Sequence, residues 1–128
     1  MKKILTFLLF LFIFAHVLQA QTVSGTIMIY GKVIRNSLPA SRTKVFLVEA
    51  TYTGMALNKT ICNQKKYPPQ VKTFSTDSKG EYNFKGVKKG IKYKLVICDS
   101  GLTSVYVFEL KIPTSANSIL KVSDKKIQ

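Results

Sequence analysis

The stretch TDSKGEYNFKGVKKGIKYKL, residues 76–95, decides the fold. Its glycines, aromatics and lysines fall at positions that read as turns and strand faces. Asp77, Ser78, Lys79 and Gly80 make a hairpin turn: an aspartate at the first position bonds its own backbone further on, and glycine at the last takes a positive φ that other residues resist. From Glu81 to Val87 the residues alternate, Tyr82 and Phe84 on one face and Glu81, Asn83 and Lys85 on the other. Gly86 and Gly90 then reverse the chain. Lys92 to Cys98 alternates again, with Tyr93, Leu95 and Ile97 inward and Lys92 and Lys94 facing solvent.

The same period-two pattern recurs on both sides of this stretch. Thr26–Val33 puts Ile27, Ile29 and Val33 on one face, and Thr43–Glu49 divides Val45 and Leu47 from Phe46 and Val48. Ser104–Ile112 sends Tyr106, Phe108, Leu110 and Ile112 one way and Val105, Val107 and Glu109 the other before Pro113 ends it; Ile119–Val122 reads as a short edge strand before a polar tail. Residues 51–70 carry Gly54, Asn58, Asn63 and the pair Pro68–Pro69 and read as a loop or irregular edge. No apolar stripe of helical period runs for a useful length. Seven short strands with turn signals between them predict an all-β, Greek-key β-sandwich, with a closed small barrel as the alternative.

At the amino end, Lys2 and Lys3 precede an apolar run from Ile4 to Leu18 that ends at Ala20, the layout of a secretory signal peptide cleaved after residue 20. The run is short for a membrane span and holds Thr6 and His16. The expected organisation is therefore a signal peptide over 1–20 and one domain over 21–128, secreted, periplasmic or extracellular, with no membrane span after cleavage. Cys62 and Cys98 then lie in a chain bound for an oxidising compartment, so they pair as one disulfide or remain two free thiols.

Three pieces, taken in order, resemble the transthyretin-like sandwich of carboxypeptidase regulatory-like domains: GKVIRNSLPASRTKVFL at 31–47, TFSTDSKGEYNF at 73–84 and KGIKYKL at 89–95. The resemblance spans roughly residues 26–98. It departs from the family at the first turn, Arg35-Asn36-Ser37, and at the insertion around Cys62. Secreted transthyretin-like proteins of nematodes share similar signatures, including a late KIP such as Lys111-Ile112-Pro113. What the resemblance implies is a scaffold serving as an accessory, adhesive or interaction domain without catalysis of its own.

Catalytic chemistry has little to draw on. A related sandwich hydrolase depends on histidines, whereas the single histidine, His16, lies in the leader; the six carboxylates, Glu49, Asp77, Glu81, Asp99, Glu109 and Asp124, show no paired spacing for general acid and base work. Two cysteines without histidine fall short of a zinc site, so neither a metal nor a cofactor is expected. Asn58-Lys59-Thr60 is a glycosylation sequon.

Charge is the strongest compositional feature: Lys+Arg 20 against Asp+Glu 6, a formal net charge of +14. Lysine dominates, which gives diffuse attraction rather than bidentate recognition, so the surface reads either as a solvated lysine-rich face with no partner or as one for a protein or an anionic glycan, lipid or envelope surface, held in a salt-sensitive way. No nucleic-acid reader motif is present. Phe46, Val48, Val96, Val105 and Val107 lie on the side of their strands away from the core and read as a partner or self-association patch, or as a surface covered by residues 51–70. Asp77, Gly80, Gly90 and Tyr93 read as structural, Tyr93 as a corner tyrosine whose hydroxyl bonds backbone. A carrier of a small hydrophobic ligand is the alternative function.

Overall fold

A computed structural model describes residues 25–128; the expected signal peptide over 1–20 lies outside the described residues. The described residues are all-β, in two sheets. In chain order the strands are β1 (Thr26–Arg35), β2 (Leu38–Pro39), β3 (Lys44–Glu49), β4 (Val71–Ser75), β5 (Glu81–Lys88), β6 (Lys92–Cys98), β7 (Val105–Lys111), β8 (Ile119–Lys121) and β9 (Lys125–Ile127), with a single 3₁₀ turn at Lys59–Asn63.

In the first sheet β1 is central, because at ten residues it is long enough to pair with four partners: antiparallel with β5 and β2 and parallel with β8 and β9. The second sheet runs β4-β3-β6-β7, all antiparallel. The number of strands differs from the seven expected. The tail read as polar supplies β9, where Ile127 pairs with Arg35 and is buried, and the segment after β1 supplies the two-residue β2 through a tight turn with positive φ at both Asn36 and Ser37. Such a turn matches the twist of paired strands, and asparagine tolerates the conformation better than most residues.

Between the sheets lies the interior that period-two alternation requires. Ile27, Ile29 and Val33 of β1, Tyr82, Phe84 and Val87 of β5, Val45 and Leu47 of β3, and Tyr93, Leu95 and Ile97 of β6 form one buried cluster, closed at its end by Ile112, Val122 and Ile127. Two close approaches hold its geometry. A Cβ on Gly31 would overlap the Tyr82 hydroxyl, so glycine there admits the ring. Gly80 has φ +74°, and a Cβ on it would lie 2.5 Å from the Val33 carbonyl oxygen; the Val33 amide donates to the Gly80 carbonyl at 2.8 Å, which locks the hairpin turn against β1.

The turn residues behave as their chemistry demands. One Asp77 carboxylate oxygen accepts from the amides of Lys79 and Glu81, both at 2.9 Å. Gly90 has φ +74°. The Tyr93 hydroxyl accepts from the Lys88 amide at 3.0 Å, tying the start of β6 to the end of β5 where the chain passes between sheets. Beneath the opposite corner, Thr76 donates to the Ala40 carbonyl and accepts from the Thr43 amide at 2.9 Å, so its buried hydroxyl is satisfied on both sides.

Candidate functional site

The outer face of the second sheet is where sequence alternation places Phe46, Val48, Val96, Val105 and Val107. Register puts Phe46 beside Val96 and Val96 beside Val107, with Val48 one step along β3 and Val105 paired to Cys98. These five do not form an open patch. Phe46, Val48 and Val96 are buried with Ile61, Cys62, Val71 and Cys98 in a second core, against which Tyr52, Met55, Leu57, Tyr67, Leu102 and Val105 pack. Residues 51–70 close over the sheet as a lid. Only Val107, on the edge strand β7, stays open, at 44% exposure.

Three kinds of contact fasten the lid. A disulfide joins Cys62 in the 3₁₀ turn to Cys98 at the end of β6. The Lys44 Nζ donates to the Cys62 carbonyl at 2.7 Å, and the Tyr67 hydroxyl donates to the Ile61 carbonyl at 2.6 Å while its ring lies 5.1 Å from that of Phe46. Burial raises the Tyr67 phenol above its ordinary value, with the nearby Gln64 backbone acting in the opposite direction. The Asn58 side chain caps the 3₁₀ turn by accepting from the Thr60 amide at 2.9 Å, so the sequon asparagine has a local backbone role.

Beyond the lid the outer face turns polar. Lys92 pairs with Lys111 and Lys94 with Glu109 across β6 and β7. The ion pair among the described residues joins Lys88 to Glu49 at 3.2 Å, and its lysine side chain is 59% exposed. Screening by water makes such a pair a weak constraint. Asp99, after β6, orders the next loop: its carboxylate accepts from the Thr103 amide and hydroxyl, both at 2.7 Å, and from the Ser104 hydroxyl at 3.0 Å. These bonds, the Thr103 hydroxyl foremost, hold its carboxyl down at about 2.

The first sheet presents a different outer face, one that attention to the inward residues of β1 passes over. Tyr30 lies between Asn83 of β5 and Lys121 of β8, and Lys32 lies opposite Glu81. One step back, Met28 pairs with Ile119. Tyr30 is 39% and Ile119 56% exposed, and Lys85 and Lys121 are exposed as well. The parity of β1 marks this face in the sequence, since Met28, Tyr30 and Lys32 must oppose Ile27, Ile29 and Val33. Among the described residues no group of three histidine, cysteine, aspartate or glutamate side chains is placed to hold a metal ion. No described helix is long and apolar enough to cross a membrane.

No family model matches the chain. No curated protein matches it either. Solved structures do. The dioxygenase domain of a dioxygenase carbohydrate-binding protein fusion from Streptomyces sp. SirexAA-E is 11% identical, with 81% of this chain and 80% of that one covered and a TM-score of 0.54. The 3-chlorocatechol 1,2-dioxygenase of Rhodococcus opacus 1CP is 10% identical over 80% of this chain and 60% of its own, with a TM-score of 0.51. A candidate carbohydrate-binding protein of Pseudomonas aeruginosa is 18% identical over 82% and 90%, with a TM-score of 0.49. For the first two, at these identities, the similarity is one of fold alone, the β-sandwich.

Proposed function

We propose that this chain is a secreted, non-enzymatic interaction module with a transthyretin-like sandwich, which engages an anionic partner through its lysine-rich surface. The observation that carries the reading is the mismatch between charge and pairing: residues 25–128, which leave out Lys2 and Lys3 and carry a net charge of +12, hold one ion pair, Lys88 with Glu49. Lysines left unneutralised on the outer faces of both sheets sustain a positive potential, which speeds and strengthens encounter with a polyanion. Lysine recognises charge without imposing the planar, two-point geometry of arginine, which suits a repeating acidic polymer.

The transthyretin-like assignment draws on the order of the turn and strand signatures together with Tyr93, whose hydroxyl accepts from the Lys88 amide at the crossing between sheets. Secretion draws on the leader-like amino end and on the Cys62–Cys98 bridge, which suits an oxidising compartment. A non-enzymatic role draws on the absence of histidine from residues 25–128 and on the structural use of Asp77 and Asp99, both spent on backbone amides of their own turns. For the alternative, a carrier of a hydrophobic ligand, the space between the sheets is occupied by Tyr82, Phe84, Tyr93 and the aliphatic core.

The test is retention on heparin beside a charge-matched control protein, repeated at increasing salt. Elution well above the control supports a dedicated anionic partner; coelution with it refutes the proposal.

A further inference from the structure

We infer that the outer face of the first sheet, centred on Tyr30, is a docking surface for a carboxylate-bearing polysaccharide, an inference that rests on the anionic-partner reading and gives it a place and a ligand class. Tyr30 stands in the middle of a row that crosses three strands, flanked by Asn83 and Lys121. Neighbouring strands lie about 4.8 Å apart and alternate residues along a strand about 7 Å apart. Lys32 and Lys85 therefore fall one step from that row, on opposite sides of it, and a ring, an amide and three ammonium groups share one surface, on which Tyr30, Lys85 and Lys121 are exposed and Lys32 and Asn83 half-buried.

The composition of the face selects the ligand. A half-exposed tyrosine ring with a polar edge covers the C–H side of a sugar ring while leaving its hydroxyls in water. The Asn83 amide donates and accepts, which matches hydroxyls, and the lysines supply point charges for carboxylates. A protein partner is a poorer match, since lysine is depleted from the cores of protein interfaces and here interrupts the apolar residues Tyr30 and Ile119. A nucleic acid is poorer still, because no arginine lies on this face: Arg35 points to the other side of β1, donating to the Thr43 hydroxyl at 3.2 Å. Glu81 beside Lys32 lowers the local potential at one end, which favours a chain running toward Lys121 and Lys85.

Binding to polygalacturonate, with neutral dextran and a DNA duplex as comparison ligands, tests the inference by isothermal titration at low and physiological salt. The variants are Tyr30→Ala and Lys121→Gln on this face and, on the other sheet, Lys92→Ala with Lys94→Ala; the melting temperature of each is checked first. The expected result is binding of polygalacturonate and none of dextran, a loss of about tenfold for Tyr30→Ala that persists at physiological salt, and for the Lys92, Lys94 double variant only the smaller loss that removing two distant charges brings, which physiological salt screens away. Native binding that Tyr30→Ala leaves intact while the double variant loses it overturns the site and spares the anionic-partner reading. DNA bound as tightly as polygalacturonate overturns the sugar assignment. Absence of any polygalacturonate binding overturns the ligand class, and only joined to failure on heparin does it remove the broader reading.

Discussion

Replacing both half-cystines, Cys62→Ala with Cys98→Ala, removes the one covalent restraint between the lid and the second sheet. The bridge closes a loop with a sequence separation of 36. In the chain-entropy treatment a loop of that length restricts the unfolded ensemble by about 4 kcal/mol at room temperature. For a domain of this size that corresponds to a fall in melting temperature of about 15 °C or more. The consequence is also local. Without the bridge the lid is held by its apolar contacts, the Tyr67 ring against Phe46 among them, and by the hydrogen bond from Lys44 to the Cys62 carbonyl, and when it lifts it uncovers Phe46, Val48 and Val96. Urea unfolding of the double variant measures the global term, and binding of a dye that reports exposed apolar surface under native conditions measures the local one. Both should change. A stability loss below about 1 kcal/mol with no dye binding would show that packing alone holds residues 51–70 and would refute the role given to the bridge.

Phe46→Ala should cost about 3–5 kcal/mol in urea unfolding, as for an aromatic in a packed core; a cost near zero would return Phe46 to the surface. Two tyrosines should respond oppositely to loss of their hydroxyls. Tyr93→Phe strands the Lys88 amide and should lower stability by about 1 kcal/mol, whereas Tyr82→Phe removes a buried hydroxyl that has no protein partner and should be neutral or stabilising. The reverse order in denaturant melts would contradict both assignments. Asp99 has a folded pKa of about 2, below its ordinary 3.8, so the stability it contributes is present above pH 4 and is lost as pH falls from about 4 to 2. Asp99→Asn should flatten that part of the acid limb of the stability profile; an unchanged limb would place the acid sensitivity elsewhere.

Alternation made the inner core legible. Ile27, Ile29, Val45, Leu47, Tyr82, Phe84, Tyr93 and Leu95 all lie where period two puts them, because a strand offers a side chain only two sides. It could not say whether the other side was covered. Phe46, Val48 and Val96 have the parity of surface residues and are nonetheless buried, since the lid that covers them has no periodicity of its own: Tyr52, Met55, Leu57, Ile61 and Tyr67 are spaced to suit an irregular path. A signal was present in the unbroken runs VFLV at 45–48 and LVIC at 95–98, which are apolar on both faces as in strands buried on both sides. Strand β9 was illegible for a related reason. Only Ile127 among its residues is apolar, and parallel pairing with β1, a contact distant in sequence, creates the strand. Tyr30 is a third case, written plainly in the parity of β1 yet meaningful only once β5 and β8 bring Asn83 and Lys121 to its sides.

The claim that the Tyr30 face recognises an acidic glycan is tested most directly by amide chemical shifts followed through a titration with an oligogalacturonate at physiological salt. The prediction is a compact set of perturbed residues on β1, β5 and β8 around Tyr30, Asn83 and Lys121, with β6 and β7 unmoved. Shifts spread evenly over every exposed lysine, or gathered instead at Lys92, Lys94 and Lys111, would contradict it.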